Sequence, residues 1–414
     1  MPPSHGSYDA VVVGARCAGA TAARLLAERG LDVLLVDRTR MPADTVSTHA
    51  LMLGATIQLR RWGLLETVAA TGATPVKGVT IEAGPTRFVA PIKNIGGVDT
   101  VYAPRRITLD QLLVDAAVAA GAELCDGHRV IALDRDSTGA VCGVRSTGPD
   151  VSTWSVRTRW VIGADGIHST VAGLAGAATL RHDPASAACR YAYFAGLSGS
   201  TYEFSFARDA GAGAIPTDGG LTCVYVALPL RDATRMRRDL DAEFGRILRH
   251  VSPGLADRVA VADRVTGFRG TRGLPAHLRQ ATGPGWVLAG DAGYHRDPFS
   301  AHGITDAFRD GELVAHAVAT AVVDISRADA AMRWYAELRD DFARPMYDAT
   351  KRLASFKLDL DEILAVLHEM GDEGEREAHF LANLDDSPYV SEFGAAGRRP
   401  AVTGAPAGWH HPCA

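Results

Sequence analysis

The stretch that most limits what this chain can fold into is residues 8–37. YDAVVV at 8–13 is a short β-branched run, GARCAG follows it, ATAARLLAERG carries apolar residues at helical spacing, and LDVLLV closes on Asp37. Strand, tight turn, helix and second strand in that length make one βαβ unit, the element of an α/β fold that binds dinucleotides. Gly14 permits the sharp turn out of the strand, Ala15, Arg16, Cys17 and Ala18 carry the chain into the helix, and Gly19 lets the helix lie close against the sheet. The amide-rich helix start then faces a pyrophosphate. Asp37 stands where a carboxylate accepts hydrogen bonds from both ribose hydroxyls of an adenosine, with Arg38 beside it for a phosphate or the adenine edge. Arg16 replaces the middle glycine of G-x-G-x-x-G, so a cationic side chain stands where the diphosphate would pass.

Composition narrows the field further. The 414 residues are 47% hydrophobic and 22% charged, with a formal net charge of -5, as in an enzyme-sized globular protein and not a nucleic-acid binder. The start, MPPSHGSYDAVVVG, lacks the basic head of a signal peptide, and no run approaches the roughly 20 apolar residues of a membrane span, so a cytoplasmic protein is expected. Six cysteines form no C-x-x-C pair and no zinc spacing with histidine; reduced thiols and no metal are expected. His410 and His411, near a Pro/Gly-rich end, read as solvent-exposed and not as metal ligands. H-E-x-x-H, G-x-S-x-G and the P-loop pattern are absent, which leaves the chemistry to a cofactor.

Two further segments identify that cofactor. In RWVIGADGIHST, residues 159–170, a hydrophobic strand runs into Asp165 and Gly166, and in WVLAGDA another runs into Gly290 and Asp291. A dinucleotide fingerprint, a "DG" motif and a "GD" motif in this order resemble the FAD-dependent monooxygenases of the para-hydroxybenzoate hydroxylase type, the group A flavoprotein monooxygenases, related to the geranylgeranyl reductase and flavin halogenase superfamily. The resemblance covers residues 8 to about 345.

The resemblance implies a Rossmann-like FAD-binding domain, with an inserted mostly antiparallel β-sheet substrate domain and C-terminal helices. It implies that Asp291 binds a ribityl hydroxyl of FAD. In PFSAHGITDAF a helix begins near Gly303, so that the amides of Gly303 and Ile304 face the flavin pyrimidine oxygen; Ala301 replaces the first glycine of the family's P-x-x-G-x-G. Arg106, from RRITLDQLLVDAA, reaches the diphosphate, and Val130 meets the adenine through backbone atoms. Ala172 stands where the DG motif usually has Arg, a departure that bears on the nicotinamide donor. With only one fingerprint present, NADH or NADPH is expected to visit transiently.

The expected division is 1–75, 104–185 and 275–345 for FAD, 76–103 and 186–274 for substrate, and 346–414 for a C-terminal helix and irregular tail. Helical periodicity marks residues 234–250, 311–345 and 347–370. In the substrate layer, alternation puts Tyr202, Phe204 and Phe206 on one face and Tyr191 with Tyr193 on one face of another strand. If these faces line the cavity, the substrate is flat, apolar and aromatic. His49 and His302 are the candidate catalytic residues, with His295 competing. The implied reaction is NAD(P)H-driven hydroxylation of an apolar, aromatic small molecule by molecular oxygen through a flavin hydroperoxide, in specialised metabolism or catabolism. Three rivals stand beside it. One is a carbon-carbon double-bond reductase of the geranylgeranyl-reductase kind. Another is a halogenase, for which Lys77 is roughly in place but Trp154 and Trp160 do not form the W-x-W-x-I-P motif. The third is a binding module without turnover.

Overall fold

The computed structural model describes residues 3–197, 199–237 and 239–386. Its first sheet has five parallel strands in the order Trp286–Leu288, Thr153–Gly163, Ser7–Val13, Val33–Asp37 and Glu123–Asp126. The long strand Thr153–Gly163 also pairs antiparallel with Val141–Thr147, which pairs with Arg129–Arg135. Alternation along the strands sorts the core: Ala10, Val12 and Leu35 point to one face, Val11, Val13, Leu34 and Val36 to the other. The first face is covered by the helices Cys17–Ala27, Arg106–Ala119, Gly303–Val323 and Ala328–Leu353, the second by the antiparallel strands. The fold is α/β, as expected, with a second sheet and C-terminal helices.

Strand register brings the three motifs together. Val13 lies opposite Gly163, and Gly163 opposite Leu288. The residues that follow, Gly14, Ala164 and Ala289, therefore leave the sheet side by side at its carboxyl edge, where ligands of open α/β sheets bind.

The second sheet is mostly antiparallel, in the order Asp263–Arg264, Ala187–Ala195, Leu221–Pro229, Ala210–Pro216, Thr201–Ala207, Gly78–Ala83 and Thr86–Pro91, with Arg269–Thr271 also on Ala187–Ala195. One face packs on Met346, Leu353, Ile363 and Val366 of the C-terminal helices. The other packs on the helices Leu240–Val251 and Pro253–Ala260. A small sheet of Thr179–Asp183, Ala276–Arg279 and Tyr294–His295 carries the chain back to the first sheet.

The helix bounds differ from the periodicity in informative ways. The helix expected at 234–250 starts at Leu240, because Asp239 caps it by accepting from the Ala242 N–H. The pattern at 311–345 is two helices, broken where Asp324 ends one and caps a short turn. The second, Ala328–Leu353, runs through Pro345; the Asp341 carbonyl that a residue there would have bonded accepts from Arg376 instead. The last helix, Leu360–Ala382, opens on a capping box of Asp359 and Glu362. No helix among the described residues is long and apolar enough to cross a membrane. Cys17, Cys189 and Cys223 are free thiols, whereas Cys142 is disulfide-bonded, contrary to the expectation of reduced thiols. Cys413, His410 and His411 lie outside the described residues.

Candidate functional site

A cavity of about 630 Å³ opens where the carboxyl edge of the first sheet meets the second sheet. Its size is that of a small-molecule or cofactor site. Gly14 sits at φ +105°, and a Cβ there would lie 2.3 Å from the Ala164 carbonyl oxygen; a Cβ on Gly19 would lie 1.7 Å from that of Gly14. No other residue closes this turn. Gly14, Arg16, Cys17 and Ala18 line the cavity, whereas Ala15 and Gly19 pack behind it. Asp37 and Arg38 also line it. The Asp37 carboxylate accepts from the Ala15 N–H at 2.7 Å and the Thr39 N–H at 2.7 Å, which fixes it to the turn and leaves acceptor sites for a ligand.

Arg16 and Arg106 share one counter-ion that sequence reasoning missed. Asp110, fully buried, receives Arg16 Nη1 at 2.6 Å and Arg106 Nε and Nη2 at 2.8 and 3.0 Å. The Cys17 thiol also points to it at 3.4 Å, and burial pushes that thiol up to about 12. The two arginines thus arrive at the cavity wall held by a common carboxylate. Asp110 stands four residues after Arg106, a spacing visible in the sequence, but its contact with Arg16 spans 94 residues.

The DG and GD carboxylates differ. Asp165 accepts from the Ser169 hydroxyl and from the Thr170 and Val171 N–H groups, so it secures the start of the helix Thr170–Ala175. No group among the described residues hydrogen-bonds the Asp291 carboxylate, which burial holds above its usual range. Asp291 is half-buried, so its carboxylate stays open to the cavity and to a donor on a ligand. Both residues, Gly166 and Val130 line the cavity, and Gly290 sits behind it, where a Cβ would meet Ala18 Cβ at 3.0 Å.

The 298–303 loop forms the far wall. Ala301 takes the left-handed conformation at φ +56°, which explains why glycine suits that position. Gly303 opens the helix Gly303–Val323, and a Cβ there would meet nothing within 4 Å. Ala301, Gly303 and Ile304 line the cavity beside Arg296. Arg296 is buried, bonded to Ser300 Oγ at 3.0 Å and to the Tyr294 hydroxyl, and paired with Asp306 at 2.8 Å. Asp306 continues through Arg309 to Asp310 and Glu377.

The histidines divide by position. His49 lines the cavity in a left-handed conformation at φ +70°. Its Nδ1 accepts from the Arg106 N–H at 3.1 Å, so its proton is on Nε2, which donates to the Tyr193 hydroxyl. Burial, aided by the Arg106 charge, pushes it down to about 3. Both nitrogens are committed, so His49 is built to position its neighbours. His302 does not line the cavity: its Nδ1–H donates to the Ser300 carbonyl at 3.0 Å, Nε2 faces Gly374, and burial lowers it to about 4. His295 lines it and donates Nδ1–H to the Pro275 carbonyl.

Of the five rings expected over the site, only Tyr191 lines the cavity. Tyr193, Tyr202, Phe204 and Phe206 share its face of the sheet and its core cluster without lining the cavity; Tyr193 stacks on His49 and Phe206 meets Phe299 edge-on. Alternation fixed their face and not their depth. Lys77 is exposed, paired with Asp99 at 3.2 Å, away from the cavity. A recess of about 30 Å³ adjoins the cavity, bounded by Cys189, Tyr225, Asp297, Phe299 and Ala301 among others. Asp297 borders both spaces, and sequence reasoning missed it.

Comparison with known proteins gives a consistent fold. The FAD binding domain family matches residues 7–350. The digeranylgeranylglycerophospholipid reductase of Methanocella arvoryzae is 25% identical over 350 residues, 82% of this chain and 84% of the relative. Digeranylgeranylglycerophospholipid reductase 2 of Methanopyrus kandleri is 27% identical over 379 residues, 87% of this chain and 90% of the relative. Among solved structures, a probable FAD-dependent monooxygenase from Pseudomonas aeruginosa superposes with a TM-score of 0.77 at 20% identity, covering 87% of this chain and 100% of that one. A flavin-dependent brominase superposes with a TM-score of 0.76 at 20% identity, covering 91% and 93%.

Proposed function

This chain belongs to the FAD binding domain family, and from that membership we propose that it is a monooxygenase of the para-hydroxybenzoate hydroxylase type, acting on an apolar aromatic small molecule with NADH or NADPH as external donor. FAD-dependent oxidoreductase chemistry is the family's. The residues present fit the cofactor: a turn closed to a Cβ at Gly14, a half-buried carboxylate at Asp291 that no described group hydrogen-bonds, and open space before the helix at Gly303. In this reading Asp37 holds the adenosine ribose and Val130 the adenine edge. Arg106, with Arg16 beside it, faces the diphosphate, and Asp291 takes a ribityl hydroxyl. The amides of Gly303 and Ile304 meet the developing negative charge on the ring. Bound FAD supplies two-electron chemistry and reaction with oxygen. The protein's own part is to orient the substrate and exclude water. Residues 76–103 and 186–274 form the substrate side, and residues 1–75, 104–185 and 275–345 the cofactor side.

One observation carries the choice of reaction. Facing the 298–303 loop, the sheet offers a small recess bounded by Tyr225, Ala227, Phe299 and Ala301 among others, and among the described residues no lysine lines the cavity. Such a wall, with Tyr191 on the cavity and Tyr225 and Phe299 on the recess, offers aromatic surface for a flat ring to pack on and lacks the lysine a halogenase requires. The test is the visible spectrum of the FAD-loaded protein, mixed anaerobically with NADH or NADPH and then with air and aromatic substrates. Bleaching, reoxidation and a product carrying an oxygen atom from molecular oxygen are expected. A carbon-carbon double-bond reductase is the second reading, favoured by the names of the curated relatives. Product formed without oxygen would select it and overturn the first.

A further inference from the structure

The carboxylates of the cavity are not equal. Asp306 is paired with Arg296 and Arg309, Asp37 and Asp165 are tied to the N–H groups of their own turns, and Asp291 falls to the cofactor in the reading above. Asp297 has no cationic partner among the described residues, although only 6% of its surface is exposed. Its Oδ1 accepts from the Phe299 N–H at 3.1 Å and its Oδ2 from the Ala187 N–H at 3.2 Å. These bonds tie the 298–303 loop to the first long strand of the second sheet, and they use about half of the acceptor sites that a carboxylate offers. Asp297 also borders both the large cavity and the apolar recess, a position shared with Thr48, Cys189, Pro298 and Ala301. Of these five it is the only one that ionises near neutrality, because burial holds the Cys189 thiol up near 12. The other titratable groups that act on it are His295 from its own loop and Cys189 from the facing strand. The neighbouring Arg190 guanidinium is taken by the Cys189 and Thr271 carbonyls.

We propose that Asp297 is a substrate-binding residue: it accepts a hydrogen bond from a phenolic hydroxyl or an amine, and so selects neutral or cationic aromatic donors against aromatic carboxylates. The inference rests on the reading of this cavity as the meeting place of flavin and substrate. A buried carboxylate with spare acceptor sites and no cation is stabilised by a donor arriving in the site. Burial raises the group to about 6, so near pH 7 the acceptor is mostly ionised. An incoming carboxylate would place like charge beside like charge in a poorly solvated space, which is the stronger half of the selection.

The test uses the oxidised FAD-loaded protein at pH 7.5 and reads the perturbation of its visible spectrum on titration with phenol, anisole and benzoate. Wild type is expected to bind phenol at least about ten-fold more tightly than anisole, which has no proton to donate, with benzoate weaker still. Asp297→Asn should shrink the phenol-to-benzoate ratio by about ten-fold or more. Because a ratio is read within one protein, general loosening cancels. The wild-type series stands alone if the variant fails to hold FAD. Anisole binding as well as phenol, benzoate binding most tightly, no response to phenol in saturated solution, or an unchanged ratio in Asp297→Asn would each overturn the proposal. Binding needs no turnover. Selective binding without an oxygenated product would sink the monooxygenase reading alone, and turnover without this selectivity would sink the role of Asp297 alone.

Discussion

Acid should destabilise this protein through His49 more than through any surface charge. The folded protein holds the ring neutral, with Nδ1 accepting from the Arg106 N–H and its pKa near 3 against an ordinary 6.5. The unfolded chain therefore takes up a proton as pH falls below 6.5, while the folded protein does not until about pH 3. Stability is complete above 6.5 and is lost on the way down, by about 1.4 kcal/mol per pH unit. At pH 4.5 the loss from this one ring reaches about 3 kcal/mol, a large share of a typical folding free energy. The perturbation is His49→Asn. Asparagine tolerates the left-handed backbone at φ +70° and offers an oxygen near the position of Nδ1, but it does not titrate. At pH 7.5 the variant should be less stable by about 1–3 kcal/mol, from the lost ring packing and the orphaned Tyr193 hydroxyl. Urea melts followed by tryptophan fluorescence at pH 7.5, 6.0, 5.0 and 4.5 would show that deficit closing by about 3 kcal/mol as the pH falls. A gap that stays constant across the series would refute the buried neutral imidazole.

Asp291→Ala removes a half-buried carboxylate that no described group hydrogen-bonds, so the FAD-free protein should melt at an unchanged or higher temperature while the FAD dissociation constant rises by about 10–100-fold; a lower melting temperature with unchanged affinity would count against the ribityl role. Gly303→Ala places a methyl group where the protein has nothing within 4 Å. Its melting temperature should be unchanged or higher, with FAD affinity reduced at least about ten-fold in a flavin-fluorescence titration. Gly19→Ala is the contrast: its Cβ would collide with the Gly14 carbonyl at 1.7 Å, and the protein should lose about 3 kcal/mol or more, or fail to fold. Asp110→Asn should weaken FAD binding more than Arg16→Ala, because the first releases two guanidinium groups and the second leaves Arg106 still doubly bonded. The reverse order would show that Arg16 acts on the diphosphate independently of Asp110.

The parts of the site that were legible in the sequence are those built by local backbone. Gly14 is required by its left-handed backbone at φ +105° and Gly19 by its contact with Gly14 inside one βαβ turn, while parallel strands of matched register gather the three motifs. Residues whose roles come from distant partners were not legible. Asp110 matters because Arg16 reaches it across 94 positions, and Asp297 because a strand 110 residues earlier supplies the Ala187 N–H. The aromatic strands show the same limit from the other side. Alternation put Tyr191, Tyr193, Tyr202, Phe204 and Phe206 on one face, but four of the five stop short of the cavity in a core shared with the C-terminal helices, and nothing within a strand says what will pack on it. His302 was misplaced for a related reason. Its neighbours Ala301 and Gly303 face the cavity, yet the left-handed residue before it turns its ring toward Gly374.

Ala301 is where strain and selectivity meet. A residue with a Cβ at φ +56° costs about 1–2 kcal/mol relative to the right-handed conformation, and glycine would remove that cost. Glycine also adds about 0.5–1 kcal/mol of backbone entropy to the unfolded chain, so the two effects nearly offset. Ala301→Gly should therefore leave the melting temperature within a few degrees of wild type. What it changes is volume. The Ala301 methyl borders a recess of only about 30 Å³, so its loss adds room for about one methyl group on the ligand. If the recess receives a substituent of the aromatic ring, 4-methylphenol should gain on phenol by about 3–10-fold in binding to the FAD-loaded variant, the effect of one buried methylene. An unchanged ratio, in a variant that melts like wild type and still holds FAD, would remove the recess from the substrate site and with it the argument that the small wall selects a flat ring.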